Sequence, residues 1–470
     1  MSLHTKYLRI GVLGLAIATF LTHAAAGQAV SLGVYNAAPS ETSISGISSG
    51  AYMAVQFATA WSSTIRGVGA VAGGPYGCSG GLGSTALSTC MIGQPIADVG
   101  ALAKLPERLA AAGRIDPPVG ITRQRVYLFS GYNDAVVHRA VTNWLDAIYT
   151  KWLDGAGGAL FYQTTVGAGH AQVTLSYGGA CKDNGGAYIN DCDYDQAGVI
   201  LQHMYGALNP PNRGALQGAV IAFRQASYTA PAKPADYSLG ETGFVFVPAD
   251  CAAGAPCRVH VALHGCKQSY DNIREVFVRH AGYNAWADTN HIVVLYPQTA
   301  PSVSLVLFAG ISNPEACWDW WGYLDRDPSS DPRFLTKDGP QIATLKRMVD
   351  RLTSGALSPA SVVLPARQTL VVNDVSDTAV ALAWTEVPHA MRYEVFRGSG
   401  DSEDMASIGL VSGLSFSDSG LRPKSVFRYQ VRPILAAGPG AFTDVVTAKT
   451  RAKPPVCAEP GTCRVAKYAP

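Results

Sequence analysis

The sequence carries little charge. Only 15% of its 470 residues are Asp, Glu, Lys or Arg, and 36 basic against 34 acidic side chains leave a net charge of +2. A nucleic-acid binder needs a concentrated basic surface to displace counterions, so this balance argues against such a partner. No C-x-x-C pair occurs, and no histidine stands at ligand spacing beside a cysteine couple, which argues against a metal site. Beyond the N-terminus no apolar run reaches the ~20 residues that cross a bilayer. Nor does the chain have the composition of a disordered protein, because 48% hydrophobic content with so few charges can bury a core.

What the chain does have begins at its first residues. Lys6 and Arg9 precede an apolar run over 10–21, followed by Ala24-Ala25-Ala26. A short basic region, an apolar stretch and a small-residue site make a secretory signal peptide, expected over 1–26 with Ala29 as a second cleavage choice. The run is too short for a membrane anchor. The mature protein is therefore expected to be secreted, extracellular or periplasmic, with no membrane contact after signal removal. Ten cysteines fit that oxidising compartment. Cys78 and Cys90, Cys181 and Cys192, Cys251 and Cys257, and Cys457 and Cys463 form close couples, with Cys266 and Cys317 remaining. Five disulfides are consistent with this, although spacing does not fix connectivity.

The length is about three times the ~150 residues typical of one domain. Residues 30–355 alternate strand-like and helix-like segments, an α/β pattern. Strands are expected over 67–72, 125–130, 159–166, 242–247, 258–264 and 291–297, and helices over 49–65, 194–205 and 339–352. In the last, Ile342, Leu345, Met348, Val349 and Leu352 form one apolar stripe. The texture changes near residue 357. From 365 to 450 only short alternating strands remain, which predicts a small all-β sandwich. Its Trp384, Tyr393 and Tyr429 resemble marker positions of a fibronectin type III module. A tail over 451–470 is too short to be a domain.

Gly46-Ile47-Ser48-Ser49-Gly50 is a G-x-S-x-G motif. In that motif a serine sits on a sharp strand-to-helix turn, where side chains on either flank would clash. A strand-like segment precedes it and a helix-like one follows, so Ser48 is the candidate nucleophile. An activated serine needs a histidine base oriented by a carboxylate. Asp134 and His170 each follow a predicted strand, where loops at the carboxyl edge of a parallel sheet carry function. His138 is the rival base, but it lies four residues past Asp134 in a helical segment. One oxyanion donor is expected to be the Ser49 amide. The other is normally marked by His-Gly after an early strand. Here His264-Gly265-Cys266 follows the triad, so a circularly permuted α/β-hydrolase is expected, with Cys266 supplying the second amide.

Several stretches together narrow this. They are Ser45–Met53, Ala72–Cys78, Tyr188–Gly198, His264-Gly265-Cys266 and Cys317-Trp318-Asp319-Trp320-Trp321-Gly322. Residues 33 to about 352 resemble secreted poly(3-hydroxybutyrate) depolymerases of the permuted type. The resemblance implies a Ser48, Asp134 and His170 triad, an oxyanion hole of the Ser49 and Cys266 amides, and a Cys266–Cys317 disulfide. It also implies that Trp318, Trp320 and Trp321 contribute an aromatic wall to the substrate groove; core packing is the other reading of these residues. Many extracellular members continue into a separate polymer-binding domain. Here about twenty residues follow the sandwich, so the module or an apolar patch would have to adsorb solid polymer.

The expected function is a serine esterase that hydrolyses poly(3-hydroxybutyrate) or a similar short-chain polyhydroxyalkanoate, with no cofactor. The alternatives are an esterase acting on acetylated or feruloylated carbohydrate or on soluble hydroxybutyrate oligomers, and a non-enzymatic adhesion protein.

Overall fold

A computed structural model describes residues 30–153, 159–303, 312–325, 327–355, 369–387, 390–400, 405–435, 438–439 and 442–453. The expected signal segment and the Cys457 and Cys463 couple lie outside the described residues.

Eight strands form one sheet. In chain order they are β1 (Ala37–Ile47), β2 (Ile65–Val71), β3 (Arg125–Phe129), β4 (Leu160–Gln163), β5 (Ala219–Arg224), β6 (Thr242–Val247), β7 (Cys257–Leu263) and β8 (Ile292–Tyr296). Their spatial order is β4-β3-β2-β1-β7-β8-β6-β5. Six strands run parallel from β4 to β8, while β6 is antiparallel to β8 and β5 to β6. The central strands read as continuous apolar runs because both sheet faces are covered. On β3, Val126 and Leu128 enter one core while Tyr127 and Phe129 enter the other. The first core holds residues of α1 (Ser49–Ala60), α2 (Arg139–Trp152) and α5 (Pro340–Thr353). The second holds residues of α3 (Gln196–Tyr205) and α4 (Tyr283–Thr289).

Each half of the chain supplies one half of the sheet, so β1 starts at the centre and pairs with the late strand β7. This is the permuted α/β-hydrolase fold. The ends of the unit are tied together: the Tyr35 amide donates to Leu352 O at 3.1 Å, and Arg351 Nε to Leu32 O at 2.9 Å. Such closure at the surface is what lets a domain be cut open elsewhere in sequence.

Most expected elements lie within a few residues of those observed. The helix expected over 49–65 stops at Ala60, because Ile65 instead opens β2 and pairs with Thr42. Strand β5 and helix α2 were not among the expected elements. The outer strand β5 is only partly buried along most of its length, so its residues do not alternate clearly. Helix α2 does carry a helical apolar stripe of Val141, Leu145, Ile148 and Tyr149, yet only the neighbourhood of His138 read as helical.

The second unit is all-β. Strands β9 (Leu370–Val375), β10 (Ala379–Trp384) and β13 (Ser415–Ser419) form one sheet. Strands β11 (Ala390–Ser399), β12 (Ala406–Val411), β14 (Val426–Leu435) and β15 (Val446–Lys449) form the other, with a short Gly438–Pro439 pairing on β14. This immunoglobulin-like sandwich packs Val380, Leu382, Trp384, Tyr393, Tyr429 and Val431 between its sheets.

A polar chain crosses the centre of the large sheet. Ser43 and Ser45 of β1 hydrogen-bond to the two ring nitrogens of His260 on β7, at 2.7 and 2.8 Å. Tyr205 and Tyr283 hydroxyls meet the same serines at 2.7 and 2.8 Å. Burial pushes His260 down to about 3 and His264 down to about 4. In the unfolded chain both titrate near 6.5, so between these limits the unfolded state binds more protons. Their contribution is complete above about pH 6.5 and is lost as pH falls toward the folded values. Burial pushes Asp319 the other way, up to about 7, so acidification there favours the folded state. His260→Gln keeps polar partners for the serines and removes one ionisation. Its unfolding free energy should fall less steeply than wild type between pH 6.5 and 4, by up to about 1.4 kcal/mol per pH unit. Urea titrations across that range test this, and equal slopes refute it.

Candidate active site

Strand β1 ends at Ile47 and α1 begins at Ser49, leaving Ser48 alone on the turn. Its backbone adopts φ 56° and ψ −123°. A non-glycine residue at positive φ costs about 1–3 kcal/mol, which the surrounding structure must hold in place. The Ser48 amide donates to Val71 O at 2.9 Å, and its carbonyl accepts from the Ala51 and Tyr52 amides at 2.9 and 3.1 Å. The flanking glycines are required by contact. A Cβ on Gly46 would lie 2.3 Å from Gly50 O, and one on Gly50 would lie 2.3 Å from His264 O.

Asp134 follows β3, and its Oδ1 accepts the Val136 and Val137 amides at 2.8 and 2.9 Å. Its Oδ2 lies 2.9 Å from Nδ1 of His170, and both side chains are almost wholly buried. With Nδ1–H donated to the carboxylate, Nε2 is the basic nitrogen. His170 and Ser48 line one cavity of about 410 Å³. His138 does not line it; it caps the start of α2, and its amide donates to Met91 O at 2.8 Å.

The loop after β7 forms the opposite wall. Cys266 is bonded to Cys317, and Cys78–Cys90, Cys181–Cys192 and Cys251–Cys257 make three further disulfides. His264 donates from Nδ1 to Gly265 O at 2.7 Å and accepts the Thr299 amide at Nε2 at 3.2 Å. Gln268 Oε1 accepts the Gly265 amide at 2.7 Å, while its Nε2 donates to Ala187 O and Tyr188 O at 2.8 and 3.0 Å. These bonds fix the loop's backbone. Among the described residues, neither the Ser49 nor the Cys266 amide has a hydrogen-bond partner, leaving both as available donors beside Ser48.

The three tryptophans separate. Trp320 and Trp321 line the cavity, and Trp320 stacks on Tyr52 with ring centroids 4.2 Å apart. Trp318 is a correction to the expected wall: it is fully buried, lies outside the cavity lining, and donates Nε1–H to His264 O at 3.0 Å. It braces the loop through that bond, while Trp320 and Trp321 line the cavity. Among the described residues, no group of three or more His, Cys, Asp and Glu is placed to hold a metal ion.

Sequence reasoning passed over Asn184. Its Oδ1 accepts the amides of Ala135 and His170, each at 2.9 Å, and its Nδ2 donates to Asn133 O and Lys182 O at 3.0 and 3.2 Å. One amide thus joins the loops that carry Asp134 and His170. Nothing in an isolated Lys-Asp-Asn-Gly-Gly segment marks it; only the fold brings residues 133–135 beside it.

No protein-family model matches the chain. Among curated proteins it is 36% identical over 438 residues to the poly(3-hydroxybutyrate) depolymerase of Delftia acidovorans, covering 89% of this chain and 83% of that one. It is 35% identical over 348 residues to the polyhydroxybutyrate depolymerase of Talaromyces funiculosus, covering 71% and 95%. Two solved structures are similar at 32% identity, each covering 69% of this chain and 99% of its own. They are a PHB depolymerase serine-to-alanine variant complexed with an R3HB trimer, TM-score 0.61, and the PHB depolymerase of Penicillium funiculosum, TM-score 0.60.

Asn184→Ala should lower kcat/KM about tenfold, the effect of losing one or two net hydrogen bonds that align the pair. The loss should fall on kcat, and the acid limb of its pH profile should move, while the melting temperature stays near wild type. An unchanged pH profile with equal loss in stability would mean that Asn184 is merely structural.

Proposed function

Because this chain belongs to the poly(3-hydroxybutyrate) depolymerase family, we propose that Ser48, His170 and Asp134 are its catalytic triad and that the Ser49 and Cys266 amides form its oxyanion hole. The protein is a carboxylic ester hydrolase of poly(3-hydroxybutyrate) or a similar short-chain polyhydroxyalkanoate. Residues 30–355 are proposed as the catalytic unit and 365–450 as a fibronectin-like module.

His170 Nε2 takes the Ser48 proton as Oγ attacks the ester carbonyl. The two amides receive the charge that develops on the carbonyl oxygen, each contributing on the order of 3 kcal/mol. The same imidazole then protonates the departing alkoxide. Water activated by His170 releases the hydroxyacyl group, while Asp134 holds the ring's tautomer throughout. The observation that carries this reading is the Asp134-bound His170 facing one cavity with a serine held at positive φ. Trp320, Trp321, Met91 and Val137 make the cavity wall apolar, which suits methyl-bearing hydroxyacyl units better than the hydroxyl-rich carbohydrate of the alternative esterase.

Export to the extracellular space is part of the proposal. Four disulfides fit an oxidising compartment, and among the described residues no helix is long and apolar enough to cross a membrane.

Acid release from amorphous polymer film, soluble hydroxybutyrate oligomers and acetylated or feruloylated carbohydrate should be strong on the first two. Ser48→Ala should lower it by at least about 10³-fold. Full activity in Ser48→Ala would sink the triad assignment, and turnover of carbohydrate esters alone would sink the polyester reading. Adsorption without hydrolysis would favour the adhesion protein.

A further inference from the structure

The cavity wall is mostly apolar, with Ser48, Tyr52, His170, Tyr188 and Gln268 adding polar groups. Among the described residues that line it, Lys267 and Glu315 are the two of formal charge. Lys267 follows Cys266, and Glu315 lies two residues before Cys317, so the pair flanks the disulfide beside the oxyanion amides. The Lys267 amide donates to Glu315 O at 2.7 Å, which fixes the two backbones against each other. The side chains sit farther apart, with Nζ 3.5 Å from Oε2, and both are about half exposed. That is long for a hydrogen bond, and an ion pair so exposed contributes only about 0–1 kcal/mol. An ammonium has three donors, so Glu315 leaves it with unused capacity.

Lys267 also stands at φ 62°. Glycine takes that conformation without the strain of about 1–3 kcal/mol that a side chain incurs. A long cationic side chain held there, on the rim of a mostly apolar ester site, is placed to meet a ligand of opposite charge. The hydrolysis itself supplies one. Water adds across each ester bond, so every cleavage creates one new carboxylate end, on the acyl fragment, and one new hydroxyl end, on the leaving fragment, which keeps its own acid terminus. The carboxylate is ionised at neutral pH.

We propose that Lys267 binds the terminal carboxylate of hydroxyalkanoate oligomers, so that the enzyme reads soluble chains from their acid end. This rests on the proposed triad and oxyanion hole. The acid terminus lies on the alcohol side of the scissile ester, so Lys267 holds the leaving fragment while Ser48 keeps the acyl fragment. Glu315 tempers the ammonium, keeping the rim near neutral when uncharged polymer enters and competing with the carboxylate when an oligomer does.

The test compares a hydroxybutyrate trimer ending in a free carboxylate with the same trimer ending in a primary carboxamide, using the full-length protein and Ser48→Ala as the blank. Wild type should favour the acid by about tenfold in kcat/KM, the scale of one charge-assisted hydrogen bond. The ratio should shrink at 0.5 M salt as the attraction is screened. Lys267→Met should bring it to about one, Lys267→Arg should restore part of it, and Glu315→Gln should raise it. Lys267→Gly suits the positive φ, so it removes the ammonium without a folding penalty and should match Lys267→Met. Equal rates on both trimers in wild type, or an unchanged ratio in Lys267→Met and Lys267→Gly, would overturn the proposal and leave the esterase reading intact. If neither trimer is hydrolysed above the Ser48→Ala blank, both fail.

Discussion

The catalytic arrangement depends on one close backbone contact. Gly50, at the start of α1, lies against the carbonyls of Leu263 and His264, too close for any Cβ. That approach brings the turn carrying Ser48 alongside the loop carrying Cys266, although more than two hundred residues separate them in sequence. It exists because β1 and β7 are parallel neighbours at the centre of the sheet. Parallel strands present their carboxyl ends on the same edge, so the turn after one and the loop after the other must meet.

The permutation divides the labour between the halves of the chain. The first half brings the serine, the aspartate and the histidine, after β1, β3 and β4 respectively. The second half brings the loop proposed to supply the oxyanion amide, together with Trp320 and Trp321 of the cavity wall. The halves are coupled by hydrogen bonds across the sheet centre through His260, by α5 closing back on Leu32 and Tyr35, and by the stacking of Tyr52 on Trp320. Covalent staples act within these frames. Cys266–Cys317 spans the largest interval of the four observed disulfides and holds the loop after β7 to the segment that ends in Trp320 and Trp321. The others close short loops.

Polar groups in this core are not incidental. His264 keeps its proton on Nδ1 because Gly265 O accepts it and the Thr299 amide occupies Nε2. Burial holds the ring neutral, so it can both donate and accept while fixing the loop. Trp318 adds its indole N–H to His264 O from beneath. The loop's carbonyls are thereby held by fixed partners, and the Cys266 amide is left free of them. A donor preorganised in this way needs no rearrangement when charge develops on the substrate.

Much of this was legible in the sequence. The G-x-S-x-G turn, the strand-end positions of Asp134 and His170, and the late His264-Gly265-Cys266 carried enough local chemistry to name candidates and the permuted order. Apolar periodicity located α5 and most central strands, since burial imposes the same pattern on any sequence in those places. The orientation of the tryptophans was not legible. Trp318 and Trp320 differ only in which side of one short loop they face, and that depends on His264 and Tyr52 arriving from distant segments. Asn184 and the Lys267–Glu315 pair were invisible for the same reason: their partners are neighbours in space alone. Covalent connectivity and local turn chemistry determined what kind of catalyst the chain could encode. Tertiary packing decided which side chains face the substrate, because strand adjacency rather than sequence distance sets what meets at the sheet's edge.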